Sequence, residues 1–334
     1  MPLSTSNSNA EGLSASWHKA WVLGAVLSLL GLVCVEWGYR AHGFIPSQED
    51  DPLLWTLSRE QVYQPRSVVL SGASRIQVGF DTDTFRERYP DRPLVPLYIA
   101  ATWPVAVLRD LSEDERFSGT VIISVKVSSM MRAEFDSQQL YVEAAREKKN
   151  VNNRFNRKAK RWLDERVAFR ESRITSRKQV LALMRTGAVL PPQWTTMKPD
   201  RSIVADYAKA KELYHARVQK EGGATSSGMI PEGGEQLGAF QWVEKLSPEA
   251  WLEQALEVEA MADRIAARGG QVIFVRYPTS HNLWPLSERF FPKEHYWDRF
   301  AEASDHLCIH FKDYPALDLE TAEGSHLDLR SSAG

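Results

Sequence analysis

Residues 67–75 read Ser-Val-Val-Leu-Ser-Gly-Ala-Ser-Arg. A short β-branched run that breaks at once into Ser71-Gly72-Ala73-Ser74-Arg75 predicts a buried strand followed by a sharp turn on small residues. Ligands of open α/β sheets bind at the carboxyl ends of the strands, so Ser74 is placed to present its hydroxyl to a cleft. Backbone N–H groups of such a turn can face a developing oxyanion. Gly and Ser are also ordinary turn residues, and the stretch alone fits a plain turn equally well. It departs from the G-x-S-x-G nucleophile elbow, because Ile76 stands at the last glycine, and from a phosphate-binding loop, because no Gly-Lys-Ser/Thr follows.

Outward from this strand, taken as Ser67–Leu70, four more β-like runs occur at Leu94–Ala100, Thr120–Val127, Gln271–Tyr277 and His306–Phe311. The middle ones are nearly continuous in apolar residues, as in strands buried on both faces of a parallel sheet. Helical patterns separate them, which is the order of βαβ units and predicts an α/β fold with a parallel five-stranded sheet. The segment Pro248–Arg268 reads as one of these helices. Ser247 offers an N-cap, Pro248 suits the first turn, Gly269-Gly270 supplies the stop, and Leu252, Leu256, Met261 and Ile265 form the expected buried stripe.

Between the third and fourth strands the chain is too long for one crossover, so residues from about 131 to 236 read as a helical insertion. Leu163, Val167, Ile174 and Leu181 would line one face of a helix within it. The run EGGATSSGMIPEGGEQ at 221–236 would close it as a flexible loop. Its first half is basic: Lys148, Lys149, Arg154, Arg157, Lys158, Lys160, Arg161, Arg166, Arg170, Arg173, Arg177 and Lys178. A solvated helix face explains such a run, and so does docking on anionic lipid headgroups or an anionic glycan. No recognition motif accompanies the charge, which argues against nucleic acid.

At 334 residues with 43% apolar composition and a formal charge of −2, the chain can bury a core without disulfide staples. Cys34 and Cys308 are not expected to pair, since one falls in an apolar run and the other in a strand. Residues 1–16 read as a disordered tail. The uncharged run Ala20–Val35, flanked by Trp17, Trp21, Trp37 and Tyr39, spans about 24 Å as a helix and predicts a transmembrane anchor over residues 17–39. A cleaved signal peptide fits less well, because the apolar run is long and no A-x-A-like site follows. One span leaves residues 40–334 in a single aqueous compartment. Lys19 and His18 before the span, against Arg40 and His42 after it, do not decide which side.

Near the C-terminus, Glu323-Gly324-Ser325-His326-Leu327 places an acid three residues before a histidine, a spacing that lets a carboxylate fix the imidazole tautomer. A polar surface turn reads the same way. Arg75 and Arg276, each at a strand end, can bind a substrate carboxylate or tie loops together. His306, Cys308 and His310 alternate along a strand and are expected as core positions, so no metal is called for, and no cofactor.

Taken together, these pieces resemble the SGNH, or GDSL-like, hydrolase superfamily over most of residues 36–330. Within it the resemblance is to membrane-anchored members found with bacterial polysaccharide O-acetylation and teichoic-acid alanylation. It is carried by Glu36-Trp37-Gly38-Tyr39-Arg40 with Leu54-Trp55, Gly72-Ala73-Ser74-Arg75, Phe117-Ser118-Gly119-Thr120-Val121, Pro199-Asp200-Arg201 with Asp206-Tyr207, Val275-Arg276-Tyr277-Pro278 with Tyr296-Trp297-Asp298, and Glu323 to Leu327.

The resemblance implies a flavodoxin-like three-layer sandwich. It also implies a serine acyl-ester hydrolase or O-acyltransferase facing the periplasm from the inner membrane. Ser74 would be the nucleophile, His326 the base, and Glu323 would stand where the superfamily usually has Asp. The superfamily's oxyanion glycine and asparagine are replaced by Ala101-Thr102-Trp103 and Ser128-Ser129, with Thr102 as a substitute donor. Implied partners are an acylated glycan or acyl donor and a membrane-bound acyltransferase. The competing expectation is a catalytically inactive SGNH-fold scaffold in a polysaccharide complex.

Overall fold

The computed structural model describes residues 10–48, 50, 52–147, 151–170, 176–212, 246–281 and 283–328. Two compact units divide the chain: Met1–Ser47 with Leu163–Gln193, and Gln48–Trp162 with Trp194–Gly334.

The larger unit is built on five parallel strands: β1 (Val68–Ser71), β2 (Leu94–Pro96), β3 (Thr120–Ser124), β6 (Gln271–Arg276) and β7 (Leu307–His310). Between β3 and β6 in sequence, β4 (Thr195–Met197) and β5 (Ile203–Ala205) form an antiparallel pair of their own. The main sheet runs in the order β2-β1-β3-β6-β7. All five expected runs are strands. The second and third stop earlier than their apolar sequence does: Leu97–Ala100 and Val125–Lys126 instead form loops at the carboxyl edge, and Val127 opens a 3-10 turn.

Alternate residues of the strands enter two separate cores, as the twofold repeat of a strand requires. Val69, Val95, Leu97, Val121, Ile123, Val272 and Phe274 pack with the helices Val105–Glu113 and Pro248–Ala266. Val68, Leu70, Leu94 and Tyr98 face the other way and pack with Ile76, Phe80 and Phe85. Helices therefore cover both faces of the sheet. The strand order reverses between β1 and β3, and that switch point is where open α/β sheets form their ligand crevice.

Ser247 caps the helix Pro248–Ala266, its hydroxyl accepting from the Ala250 N–H at 3.2 Å. The buried face is Trp251, Ala255, Val258, Met261, Ala262 and Ile265, with Leu252 packed against the core; of the expected stripe, Leu256 alone is exposed. Trp251 turns the helix, because its indole N–H reaches the Val127 carbonyl at 2.8 Å and its rings meet Tyr296 and Phe300 edge-on.

The segment 131–236 is distributed over both units and is not all helical, since β4 and β5 lie within it. The helix expected to carry Leu163 through Leu181 is interrupted. One helix ends at Asp164 and the next begins at Ser176, with a 3-10 turn at Ala168–Arg170 between them, so no single stripe forms. Leu181 is exposed. Ile174, Lys148, Lys149, Arg173 and the glycine-rich run at 221–236 lie outside the described residues.

In the smaller unit, a helix runs from Ala10 to Ala41, starting inside the stretch read as a tail. Its part Trp17–Ala41 has mean hydropathy 1.9 over its most apolar window and is long and apolar enough to cross a membrane. The last turns of this helix hold the 3-10 turn in place. Glu36 accepts from the Ala168 and Phe169 N–H groups at 3.0 and 3.2 Å, and Arg40 donates to the Arg166 carbonyl at 2.8 Å. Phe44 and Ala168 are buried beside Tyr39 in a small apolar cluster.

Candidate active site

β1 is buried along its whole length and delivers the chain to Gly72 at φ +152°, after which a short helix begins at Ser74. A side chain at Gly72 has no room: a Cβ would lie 2.6 Å from Ile76 Cγ2 and 2.8 Å from Ser124 Cβ. Ile76 is fully buried beneath the turn and fixes the helix that presents Ser74. Gly72→Ala must displace that helix or β3. We expect about 2–4 kcal/mol of destabilisation from strain and overpacking. It would be read as a Tm drop of the detergent-solubilised chain by about 5 °C or more.

The second arm comes from the C-terminal turn. Ser74 Oγ lies 2.7 Å from His326 Nε2, although 252 positions separate the two residues. His326 Nδ1 meets Glu323 Oε1 in a close contact, and Glu323 Oε2 accepts the His326 backbone N–H at 3.2 Å. A carboxylate can only accept, so Nδ1 carries the proton and the Nε2 lone pair is left for the Ser74 hydroxyl. Gly324, at φ +96°, gives the turn its shape, because a Cβ there would come within 2.9 Å of Leu283 Cδ1. The glutamate's extra methylene therefore does not prevent the carboxylate from reaching the ring.

Burial pushes the Glu323 carboxyl up, but hydrogen bonds from His326 and Ser325 and the nearby imidazole outweigh it. The carboxyl is held below its usual range and stays ionised. The arrangement can take a proton from Ser74 and stabilise the imidazolium that results.

The turn is tied to the loop after β6. Ser280 N–H donates to the Gly324 carbonyl at 3.1 Å, the Ser280 hydroxyl lies 2.6 Å from Thr321 Oγ1, and Arg75 donates to Thr279 Oγ1 at 3.0 Å. Ser74, His326 and their neighbours line a cleft of about 380 Å3 at the carboxyl ends of β1 and β3.

Thr102 lies on that cleft, but its hydroxyl donates to the Ile99 carbonyl at 2.6 Å and accepts from Gln138 Nε2 at 2.9 Å. A hydroxyl has one proton, so this one has none left for an oxyanion. The backbone N–H groups of Ser74 and Thr102 make no hydrogen bond among the described residues. Ala101 beside them takes φ +59°, a left-handed backbone that costs an alanine about 1–2 kcal/mol and that a glycine adopts freely.

Arg75 and Arg276 both line the cleft, as expected from their strand ends. Trp103 and Ser325, each named inside a motif but given no role, line it as well, and so does Lys126, which was not anticipated. Ser325 Oγ donates to Glu323 Oε1 at 2.6 Å and lies 2.9 Å from His326 Nδ1, so it steadies the acid. Its only sequence signal is its place between two other polar residues. Lys126 appeared to be the end of a strand, but the chain leaves the sheet after Ser124 and carries the side chain over the Trp103 ring, 3.9 Å from its centroid.

Pro199-Asp200-Arg201 serves the same edge structurally. Buried Arg201 donates to the Pro96 and Tyr98 carbonyls at 2.9 Å each and pairs with Asp50 at 2.7 Å. Gln77, on the serine-bearing helix, donates to the Arg201 carbonyl at 2.9 Å.

His310 is buried between Trp284, Trp297 and Phe311, and its Nδ1 accepts from Lys312 N–H at 3.1 Å. Burial, then the charges of Arg276, Lys293 and Lys312, pushes its imidazole down to about 3, so it is neutral. His306 instead approaches two acids on the helix Pro248–Ala266, Asp263 at 3.2 Å and Glu259 at 4.0 Å. That grouping was not visible in the sequence. The Glu259 oxygens already accept from Ser304 Oγ and Asp305 N–H at 2.7 and 2.9 Å, which fastens the start of β7 to the helix.

No protein-family model, curated protein or solved structure matches the chain.

Proposed function

We propose that this chain is a membrane-anchored acyl esterase or O-acyltransferase of the SGNH kind. It would act on an acyl group, in the first place acetyl, of a cell-envelope polysaccharide from the periplasmic face of the inner membrane. The observation that carries the reading is the Ser74–His326–Glu323 relay, placed in a cleft at the point where the strand order reverses. The helix long enough to cross a membrane supports the anchor.

Ser74 Oγ attacks the ester carbonyl while its proton passes to His326 Nε2. Backbone N–H groups of Ser74 and Thr102 face the resulting oxyanion. The tetrahedral adduct collapses, the leaving alkoxide takes the proton from His326, and an acyl-serine remains. Water or a sugar hydroxyl, deprotonated by the same imidazole, then attacks the acyl-serine and frees Ser74. A membrane-bound acyltransferase that supplies the acyl donor is the partner this chemistry calls for.

Lipid docking by the basic segment draws support from the helix Ser176–Thr186. It belongs to the same unit as the membrane helix and exposes Val180, Leu183 and Met184 beside Arg177 and Arg185.

A second reading, an inactive scaffold of the same fold, is favoured by one observation: the Thr102 hydroxyl is committed to Ile99 and Gln138. The two readings separate on incubation of the detergent-solubilised full-length chain with 4-nitrophenyl acetate and with an O-acetylated glycan. Acetate release by the wild type that falls about 10³-fold or more in His326→Ala supports the enzyme. Release no faster than buffer, or equal in both proteins, establishes the scaffold.

A further inference from the structure

Three cations share the serine's cleft. Arg75 follows Ser74 directly, Arg276 ends β6, and Lys126 follows β3, so three neighbouring elements each bring one positive charge to the same concavity. Each is poorly compensated. Among the described residues Arg75 makes one side-chain hydrogen bond, to Thr279, and Arg276 makes one, to the Tyr277 carbonyl at 3.2 Å. A guanidinium has five N–H donors, so most of theirs have no partner among the described residues. Among the described residues Lys126 makes no side-chain hydrogen bond, and it rests on the Trp103 ring. Among the described residues none of the three forms an ion pair with a carboxylate. Glu323 acts on Arg75, Glu288 on Arg276 and Glu134 on Lys126 only at longer range.

Such a grouping is costly in the empty cleft. Like charges that are partly withdrawn from water repel one another and lose hydration. The cost registers on every member. Burial pushes Arg75 down to about 10, and burial followed by its cationic neighbours pushes Arg276 and Lys126 well below their ordinary values. Residues that merely tied loops together would spend their donors on carbonyls, as Arg201 and Arg268 do in this same unit. The three cleft cations leave theirs unspent beside the nucleophile.

We propose that Arg75, Lys126 and Arg276 form a binding site for an oxyanion carried by the substrate next to its ester, a carboxylate or a phosphate. The fork of an arginine matches either group in a two-bond arrangement, and the Lys126 ammonium adds a point charge. Binding the anion relieves the repulsion among the three cations and places the ester carbonyl over Ser74. The proposal rests on the esterase reading for its placement of the ester, although the anion site itself can be measured without turnover.

The test uses the full-length chain in detergent and three acetyl esters: of a neutral hexose, of the corresponding hexuronic acid, and of a hexose phosphate. The wild type is expected to prefer one anionic ester over the neutral one by about tenfold or more in kcat/KM, chiefly through KM. The arm with the larger preference names carboxylate or phosphate. Lys126→Gln, at a half-buried residue with no ion pair, should reduce that preference ratio about tenfold. Arg75→Lys, which keeps the charge but loses the fork, should reduce it less.

Calorimetric titration of Ser74→Ala with glucuronate and with inorganic phosphate supplies the readout without turnover. Binding that weakens about tenfold on adding Lys126→Gln supports the site even if no ester is cleaved, an outcome that would sink the esterase reading alone. Equal kcat/KM for all three esters, or failure of Ser74→Ala to bind either anion, overturns the proposal.

Discussion

Ser74→Ala is expected to lower acyl-ester turnover by about 10⁴-fold or more while leaving the fold in place. The hydroxyl is the only group that the substitution removes. Among the described residues it bonds His326 Nε2 alone, and Ile76 rather than Ser74 packs the helix against the sheet. Far-ultraviolet circular dichroism and Tm should therefore match the wild type within about 1–2 °C, as for a part-exposed residue whose loss leaves no cavity. The decisive measurement is covalent. Wild type quenched in acid during turnover of 4-nitrophenyl acetate should carry one acetyl group on the peptide containing Ser74, and Ser74→Ala should carry none. Acetyl found on another residue, or full turnover by the variant, removes Ser74 as nucleophile.

Glu323→Gln tests the other end of the relay and carries the second large effect, a fall in kcat of about 10²–10⁴-fold. The carboxylate receives His326 Nδ1–H, the Ser325 hydroxyl and the His326 backbone N–H, and its ionised form is favoured over the neutral one. An amide keeps the shape but removes the charge that stabilises the imidazolium, and its NH2 end cannot accept from Nδ1. The ring is then free to adopt the tautomer with the proton on Nε2, which cannot take a proton from Ser74.

Glu323→Asp separates charge from reach, since it restores the charge with a shorter arm. We expect it to recover part of the lost kcat, read together with a pH–rate profile on the three proteins. A profile and kcat unchanged in Glu323→Gln would assign the acid a purely structural role in the turn.

Much of this architecture was open to inspection in the chain itself. The five apolar runs became five parallel strands because a strand buried on both faces has little freedom of composition. Ser247-Pro248 began a helix because the cap and the fixed φ of proline act locally. The readings that failed depended on contacts with distant residues. On the helix Pro248–Ala266 the expected stripe held at Met261, Ile265 and Leu252 and missed at Leu256, where an indole that reaches Val127 sets the face. The stripe from Leu163 to Leu181 dissolved where a 3-10 turn found its capping carboxylate in Glu36, more than a hundred positions away. At Thr102 only the hydroxyl is excluded as a donor, since Ile99 and Gln138 occupy it, and the backbone N–H remains.

The residues at 67–75 mark the same division. From sequence alone, their β-branched run and small-residue turn determined that a strand would end near Leu70 in a turn over Ser71–Arg75 and that Ser74 would stand at the carboxyl edge of the sheet, because strand propensity and turn sterics act within a few residues. Only the tertiary structure decided what that serine meets. Crossovers and loops bring His326, backed by Glu323, together with Arg75, Lys126 and Arg276 to one cleft from four separate parts of the chain. Hydrogen-bond partnership and electrostatic field act through space, and no periodicity along the chain encodes them.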